Sequence, residues 1–255
     1  MKGWQFTKAL EPTTLVEKED PKVVPGEVIV DVKACGLCHS DVGFLENPVM
    51  AEAYMKNTPI IFGHECAGIV SEVGAGVTSV KPGDRVGIVP QSPDNPMEII
   101  GCTRDGAYAT KILVPANQCL LLPEGVSFIQ GAVGTDAGAT SHHAVFGVGQ
   151  AKKGMKVGII GFGGFGGLGQ FGAQMALIAG CEVYVATRKA EAQELARSFG
   201  VTAVAANIKE FTDKSLDLII DFAGYDTTLT DAVSAIGYGG TVVIVGLGQS
   251  GFVFF

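Results

Sequence analysis

Residues Lys156 to Cys181 read KVGIIGFGGFGGLGQFGAQMALIAGC, and this stretch determines the fold of the second half of the chain. The apolar segment KVGII leads into three near-copies of a glycine triplet, and an apolar helical segment follows. Glycine lets backbone N–H groups and a helix N-terminus approach a pyrophosphate closely. The order strand, glycine turn, helix therefore predicts a dinucleotide-binding loop. Its uncharged part, Val157 to Cys181, is also long enough to span a membrane, but the glycine-rich first half favours the strand–turn–helix.

Two registers of the pattern G-x-G-x-x-G fit this loop. One uses Gly161, Gly163 and Gly166, directly after the strand. The other uses Gly164, Gly166 and Gly169, and lies closer to the expected gap of ~20 residues before the end of the next strand. We favour the second register and interpret the extra triplet as a lengthened loop. The predicted nucleotide-contacting residues of the loop are Gly161, Gly163, Gly164, Phe165, Gly166, Gly167, Leu168 and Gly169.

Beyond the loop, strand and helix patterns alternate to the end of the chain. This alternation predicts an α/β fold with a parallel sheet covered on both faces. The first half is instead rich in β-branched residues interrupted by Pro and Gly, which is typical of short strands. We therefore predict a β-rich domain over residues 1–149 and a parallel-sheet domain over residues 150–255. The predicted elements of the second domain are strands at 156–160, 182–187, 216–222 and 241–245, and helices at 170–179, 191–199 and 228–235.

The residues after the second strand of this sheet bear on the choice of nucleotide. A carboxylate at this point would bind the ribose hydroxyls of NAD, but the sequence has Thr187, Arg188 and Lys189. A hydroxyl and two cations suit a ribose 2′-phosphate instead. The alternative is that Arg188 and Lys189 are ordinary surface charges. We predict that NADP is preferred over NAD.

Composition excludes several classes of function. The net charge of −8 and the pI near 5.0 argue against a nucleic-acid partner, which needs a basic face. The N-terminal sequence MKGWQFTKAL lacks the apolar stretch of a signal peptide. Six irregularly spaced cysteines do not form the pattern of a disulfide scaffold. We expect a cytoplasmic protein without a membrane partner.

A second motif, ACGLCHSD, spans residues 34–41 and contains Cys35-x-x-Cys38. A zinc ribbon would need a second such pair, and a redox dithiol would be expected in a βαβ unit rather than in the β-rich half. His64 stands in GHECAGIVSEVGAGV, residues 63–77. Cys38, His64 and a third ligand would form a zinc site with an open coordination position, as a catalytic zinc requires. Cys35 is then expected to be a buried neighbour.

With these motifs, the sequence resembles the zinc-containing alcohol dehydrogenases of the medium-chain dehydrogenase/reductase superfamily. The resemblance rests on GLCHSD at 36–41, G-H-E-x-x-G-x5-G-x-x-V at 63–77, KPGDRV at 81–86, AGAT at 137–140 and the glycine loop. It covers essentially the whole chain, although KPGDRV and the glycine loop also occur in zinc-free relatives such as quinone reductases. It implies a GroES-like catalytic domain followed by a Rossmann domain.

The resemblance also implies a set of metal ligands. Cys38 and His64 match the family's zinc ligands, and Glu65 is a nearby carboxylate that enters or leaves the coordination shell as a possible fourth ligand. The third ligand is often a cysteine just before AGAT, where this sequence has Asp136. A carboxylate oxygen is an acceptable zinc ligand. The alternative is that Asp136 caps a helix over 140–145.

Catalytic and cofactor roles follow from the same resemblance. Asp41 would orient the ligand histidine, His39 would contact cofactor phosphate, and Ser40 would pass the proton of the alcohol outward. Thr140 and the backbone of Gly246–Leu247 would position the nicotinamide. The implied reaction is zinc-assisted hydride transfer between a primary or secondary alcohol and NAD(P), giving an aldehyde or a ketone. The alternatives are a zinc-free quinone or enoyl reductase, and a non-catalytic nucleotide-binding relative.

The sequence departs from the family at two points. The stretch PQSPDNPMEIIGCTRD at residues 90–105 is short and has Cys102 as its only cysteine, so we predict no structural zinc. Cys66, Cys119 and Cys181 lack partners at metal spacing and are expected to be buried. The chain stops at GLGQSGFVFF, where the family continues, so we expect a truncated chain with an incomplete Rossmann sheet. A homo-oligomer is expected for a full-length chain.

Overall fold

The computed structural model describes residues 1–163 and 167–248. Their contacts divide the chain into two compact units, Met1–Ala137 and Gly138–Phe255. The division falls earlier than the predicted boundary between residues 149 and 150. The reason is that Ala144 and Val145 are buried in the same hydrophobic cluster as the first strand of the parallel sheet, so the segment before residue 149 packs with the second unit.

The first unit consists of two antiparallel sheets and three helices. The smaller sheet has the strand order β2-β1-β4, and the larger has the order β7-β3-β5-β6-β8. The strands are β1 Lys2–Phe6, β2 Thr14–Glu17, β3 Glu27–Gly36, β4 Ile60–Ile61, β5 Glu65–Val73, β6 Arg85–Ile88, β7 Lys111–Pro115 and β8 Cys119–Leu121. The helices are α1 His39–Glu46, α2 Pro48–Tyr54 and α3 Phe128–Val133; a 3₁₀ turn covers Ala116–Gln118 and a π-helical turn covers Gly134–Gly138.

Alternating apolar residues give the larger sheet its buried face. Val28 and Val30 of β3 are inaccessible to solvent and pack with Ile112 and Val114 of β7 and with Val86 of β6. Alternate residues of a strand point to the same face, so this spacing commits one face of the sheet to the core. A smaller cluster forms around the stacked rings of Phe6 and Phe62, whose centroids are 4.7 Å apart.

Within residues 138–163 and 167–248, the second unit has a five-stranded parallel sheet with the order β11-β10-β9-β12-β13. Its strands are β9 Lys156–Ile160, β10 Glu182–Ala186, β11 Ala203–Ala205, β12 Leu216–Asp221 and β13 Ile236–Ile244. Its helices are α4 Ala139–His142, α5 Leu168–Ile178, α6 Ala190–Ser198 and α7 Asp226–Ala235, with a π-helical turn at His143–Val148 and a 3₁₀ helix at Ile208–Lys214.

Successive residues of each central strand enter opposite cores. Val157 and Ile159 of β9 belong to one cluster, whereas Ile160 belongs to another together with Tyr184 and Ile219. A sheet buried on both faces needs such continuous apolar strands. The predicted α/β fold is confirmed, including the β-rich domain that precedes the parallel sheet. The sequence analysis missed β11 and the 3₁₀ helix, and it placed the start of β13 five residues late, at Thr241 instead of Ile236.

Across the residues described, no helix is both long enough and apolar enough to cross a membrane. The segment that raised this question is divided between β9, the glycine loop and the 11-residue helix α5. The strand–turn–helix interpretation of this segment is therefore confirmed.

Candidate metal and nucleotide sites

Cys38 is held at the junction between β3 and α1. It is the N-cap residue of α1, with extended backbone angles, and its backbone N–H donates to Asp41 Oδ2 at 3.1 Å. This arrangement satisfies a free N–H group at the start of the helix. The Cys38 thiol is half-buried, and its Sγ lies 3.6 Å from Ser40 Oγ.

His64 is placed by a glycine turn between β4 and β5. Gly63 has φ +95°, and a Cβ at that position would lie 2.7 Å from the backbone nitrogen of Tyr108, so other residues are strongly disfavoured. The His64 ring is buried between two carboxylates. Its Nδ1 lies 3.3 Å from Asp41 Oδ1, and its Nε2 lies 3.3 Å from Asp136 Oδ2.

Asp136 lies in the π-helical turn that follows α3. Single π-helical turns within helices are frequent at functional sites. The helical stretch begins at Phe128, where Ser127 forms the N-cap, and it continues through residue 136. The alternative role of Asp136 as the cap of a helix starting near Thr140 is therefore wrong, because helix already precedes it.

Three potential ligand atoms converge in the first unit, one each from Cys38, His64 and Asp136. These atoms lie within 4.8 Å of one another, and they form the only such group of three or more among residues 1–163 and 167–248. Sulfur, imidazole nitrogen and carboxylate oxygen are all zinc ligands, and three of them leave one tetrahedral position open. The donor set therefore fits a catalytic zinc.

The electrostatics of this cluster also favour a cation. Burial lowers the pKa of His64, but Asp136, Asp41 and Cys38 close to the ring outweigh burial, and the net pKa lies well above its usual value. An imidazole between two carboxylates gains a proton easily because the surrounding charge is negative. A metal cation would satisfy the same negative potential.

Tyr108 contacts Asp41, the carboxylate beside His64, and it was not among the residues predicted from the sequence. Its hydroxyl donates to Asp41 Oδ2 at 2.7 Å and lies 3.0 Å from the carbonyl oxygen of Gly36. Burial and then the charge of Asp41 raise the pKa of Tyr108. No motif or spacing marks this tyrosine in the sequence, because its contact with Asp41 depends on the pairing of distant strands.

Glu65 lies beside the three-atom cluster but is not one of its members. Its Oε1 accepts a hydrogen bond from the backbone N–H of Ala137 at 3.1 Å. A Cβ on Gly36 would overlap Glu65 Oε2, so the carboxylate occupies the space that this glycine leaves. Burial raises the pKa of Glu65 to about 7, against the opposing hydrogen bond from Ala137.

The remaining cysteines are separate from this cluster. Cys66, Cys102, Cys119 and Cys181 are buried free thiols, and Cys35 is half-buried opposite Cys66 in the β3–β5 ladder. Burial raises the pKa of Cys35 to about 12. The convergent group thus contains Cys38 and not Cys35. The neighbouring His39 is exposed at the start of α1.

In the second unit, the described glycines bring the loop after β9 against the start of α5. Gly161 has φ +85°, and a Cβ on Gly169 would lie 2.5 Å from the carbonyl oxygen of Gly161. This approach matches the roles of the first and last glycines of a dinucleotide-binding loop, which are a tight turn and close helix–strand packing. The contact joins Gly161, the first glycine of the register 161/163/166, to Gly169, the last glycine of the register 164/166/169. Gly164, Phe165 and Gly166 lie outside the described residues.

The other predicted nucleotide residues are distributed over the same unit. Thr187 is buried after β10 and donates its backbone N–H to the carbonyl of Ala205 at 3.0 Å, while Arg188 and Lys189 are exposed. Gly163 lies beside Thr187, since a Cβ there would lie 3.5 Å from Thr187 Oγ1. The others are Gly167 as the N-cap of α5, Leu168 as its first residue, the half-buried Thr140, the half-buried Gly246 and the exposed Leu247.

Comparisons with known proteins agree with this architecture. The alcohol dehydrogenase GroES-like domain family matches residues 24–124, and the zinc-binding dehydrogenase family matches residues 167–255. An alcohol dehydrogenase from Geobacillus stearothermophilus is 32% identical over 265 residues, which cover 95% of this chain and 75% of the relative. The chain belongs to the zinc-containing medium-chain alcohol dehydrogenase family.

Two solved structures of zinc-binding dehydrogenases share the fold of this family member. A thermostable alcohol dehydrogenase from Pyrobaculum aerophilum, solved with cobalt and zinc, superposes with a TM-score of 0.88 at 27% identity, covering 100% of this chain and 79% of that chain. A zinc-binding dehydrogenase from Sinorhizobium meliloti, solved with NADP, superposes with a TM-score of 0.86 at 27% identity, covering 99% and 78%. The family assignment made from the motifs is thereby confirmed.

Proposed function

We propose that this chain is a zinc-dependent alcohol dehydrogenase that prefers NADP, with Cys38, His64 and Asp136 as its zinc ligands. The observation that carries the proposal is the convergence of a thiol, an imidazole and a carboxylate from three distant segments, within 4.8 Å. A zinc-free reductase of quinones or enones has no need of such a donor set. The reaction interconverts a small primary or secondary alcohol with its aldehyde or ketone.

When bound at this site, zinc supplies Lewis-acid chemistry that lowers the pKa of a substrate hydroxyl. Asp41 holds the His64 ring through Nδ1 and so directs Nε2 into the cluster. Ser40 Oγ, 3.6 Å from Cys38 Sγ, is a hydroxyl beside this thiol; it would accept the proton that leaves the alcohol while its own hydroxyl proton passes outward. The exposed His39 lies next to it in the chain and serves as a phosphate contact for the cofactor.

The second unit supplies the nucleotide site. Backbone N–H groups of the glycine loop and the start of α5 bind the pyrophosphate. Arg188 and Lys189 pair with a ribose 2′-phosphate, and the buried Thr187 fixes the end of β10 beneath them. The 27% identical S. meliloti protein was solved with NADP, which agrees with this preference. Thr140 and the Gly246–Leu247 backbone position the nicotinamide.

Metal analysis combined with kinetics tests the proposal. The purified chain should contain one zinc per chain and oxidise members of a panel of small alcohols faster with NADP than with NAD at equal concentrations. The Asp136→Asn variant should lose both zinc and turnover, whereas the matched variant Asp94→Asn, at an exposed aspartate of the same unit, should keep both. Undiminished activity in metal-free protein would refute the zinc-dependent function, and nucleotide binding without turnover of any alcohol would favour the non-catalytic alternative.

A further inference from the structure

Asp221 is a fully buried carboxylate at the carboxyl end of β12. Its Oδ1 accepts backbone N–H hydrogen bonds from Ala223 at 2.9 Å and from Gly224 at 3.0 Å. Its Oδ2 accepts the hydroxyl of Thr228, in the first turn of α7, at 2.5 Å. A buried carboxylate is costly unless donors surround it, and these three groups all donate to it.

The main chain of the same residue binds a second loop. The carbonyl oxygen of Asp221 accepts from the backbone N–H groups of Val245 at 2.9 Å and Gly246 at 3.1 Å. Asp221 therefore joins the loop after β12 to the loop after β13. The two loops touch backbone to backbone, since a Cβ on Gly224 would overlap the carbonyl oxygen of Gly246. The N–H groups of residues 223, 224, 245 and 246 are all bonded to Asp221, so what the two loops can offer a ligand is their peptide carbonyls.

The position of Asp221 in the sheet indicates which ligand this is. Asp221 is the register partner of Ile160, the last residue of β9. The strand order β11-β10-β9-β12-β13 reverses direction between β9 and β12, and dinucleotides bind outside the carboxyl ends of strands at such a reversal. The half with β9, β10 and β11 carries the glycine loop and Arg188, which suit the adenosine side. The loops after β12 and β13 then face the other nucleoside.

We propose that Asp221 is a positioning residue for the nicotinamide half of the bound dinucleotide. The inference rests on the proposed function, because it requires that this unit bind NADP. Asp221 does not touch the cofactor; it fixes the two loops at residues 223–224 and 245–246, and the peptide carbonyls of these loops are the groups that contact it. In Asp221→Asn a neutral amide with one acceptor oxygen replaces two charged oxygens, so the hydrogen bonds from Ala223, Gly224 and Thr228 weaken and the loop after β12 is held less firmly.

Calorimetric titration with two probes tests this role in the 255-residue chain. NADP⁺ occupies both halves of the site, whereas adenosine 2′,5′-bisphosphate occupies only the adenosine half. We expect Asp221→Asn to bind NADP⁺ about tenfold more weakly and to bind the bisphosphate within about twofold of wild type. Asp217→Asn is the matched control: it lies on the same strand but is exposed, near the opposite end, where it accepts a hydrogen bond from the backbone of Lys156.

Thr228→Val provides a second test that keeps the carboxylate, in case Asp221→Asn does not fold by circular dichroism. It should weaken NADP⁺ binding by about threefold and leave the bisphosphate unchanged. An equal loss of affinity for both probes would show that Asp221 only stabilises the fold. Unchanged NADP⁺ binding would show that Asp221 does not position the nicotinamide half. Either result overturns this inference and leaves the proposed function standing. A wild-type chain that binds neither probe would overturn the proposed function, and this inference with it.

Discussion

The proposed zinc site of Met1–Ala137 (the metal cluster, Cys38, His64 and Asp136) and the proposed nucleotide site of Gly138–Phe255 (the nucleotide edge, the loops after β9, β10, β12 and β13 with the start of α5) are built in opposite ways. In the metal cluster, three side chains separated by up to 98 residues meet within 4.8 Å, and the backbone serves to aim them. At the nucleotide edge, loops approach so closely that Cβ atoms are excluded, and the described contacts are mainly between peptide groups. Metal binding at the first site requires particular side chains, whereas the close backbone approaches at the second site require glycine.

This contrast predicts different responses to substitution. The metal cluster should be destroyed by losing a few atoms from one side chain while its backbone stays intact. The nucleotide edge should be damaged by gaining a single methyl group, and it should tolerate loss of an exposed side chain such as Arg188. Matched substitutions in the two sites can therefore test whether zinc binding is sensitive to loss of side-chain atoms and nucleotide binding to gain of a methyl group.

The largest effect is expected for Cys38→Ser. A hydroxyl is a far poorer zinc ligand than a thiolate, so zinc affinity should fall by more than the roughly 10–100-fold typical of losing an outer-shell partner. Zinc content after dialysis and the rate of zinc transfer to a chromogenic chelator measure the loss. Thermal stability in the presence of zinc should fall too, because a ligand that binds the folded state stabilises it.

Cys35→Ser is the matched control for this experiment. Cys35 lies three residues away, in β3; burial raises the pKa of its thiol to about 12, and it is not in the convergent group. This variant should keep its zinc. If Cys35→Ser lost as much zinc as Cys38→Ser, the assignment of the ligand thiol would be wrong.

Next in size is the effect of adding a methyl group at the nucleotide edge. In Gly169→Ala the new Cβ would lie 2.5 Å from the carbonyl oxygen of Gly161, so the start of α5 must move. We expect the free energy of unfolding to fall by about 1–3 kcal/mol, as for an overpacked core, and NADP⁺ affinity to fall roughly tenfold. Denaturant titration and calorimetry measure the two quantities.

Gly134→Ala makes the same chemical change where a Cβ would meet no atom within 4 Å. It should leave unfolding free energy and nucleotide affinity almost unchanged. Zinc content should be normal in Gly169→Ala, since the change lies in the other unit. Loss of zinc without loss of nucleotide affinity would contradict the contrast between the two sites.

The sequence predicted these two sites with unequal completeness, for a physical reason. The glycine loop is a local motif, so its strand, turn and helix were predicted correctly from consecutive residues. Cys38 and His64 could be grouped from their ligand chemistry, but Asp136 joined them only through the family resemblance, because no periodicity connects the three. Tyr108 was beyond prediction: it reaches Asp41 only after β1, β4 and the segment before β7 have come together. The approach of Gly161 to Gly169 likewise required the three-dimensional path of the loop.

Tyr108→Phe tests the support of the metal cluster and should have a smaller effect. It removes the hydroxyl that donates to Asp41 Oδ2 at 2.7 Å and leaves the ring in place. Asp41 then holds the His64 ring less firmly, and zinc affinity should fall by up to about tenfold. The visible spectrum of the cobalt-substituted protein should broaden, because the geometry of the ligand histidine is less uniform.

Tyr54→Phe is the control, since Tyr54 is an exposed tyrosine of the same unit that lies against Phe44 and is not part of the cluster. It should leave both zinc affinity and the cobalt spectrum unchanged. An unaltered zinc affinity in Tyr108→Phe would show that Asp41 holds its position without the phenol.

The smallest effect is expected for Arg188→Ala, at a side chain of the nucleotide edge. Arg188 is exposed, so its pairing with a ribose 2′-phosphate is weakened by solvent. NADP⁺ affinity should fall by only about two- to fivefold, and NAD⁺ affinity should not change, because NAD⁺ lacks that phosphate. Calorimetry with both nucleotides at two salt concentrations measures the effect, which should shrink as salt screens the charges.

Lys153→Ala removes another exposed cation of the same unit and controls for the change in net charge. It should affect NADP⁺ and NAD⁺ equally or not at all. If Arg188→Ala lost more NADP⁺ affinity than Gly169→Ala, the nucleotide edge would depend on a side chain more than on its backbone, as the metal cluster does. If Arg188→Ala instead lost equal affinity for NADP⁺ and NAD⁺, Arg188 would be an ordinary surface charge. It would then give no reason for a preference for NADP.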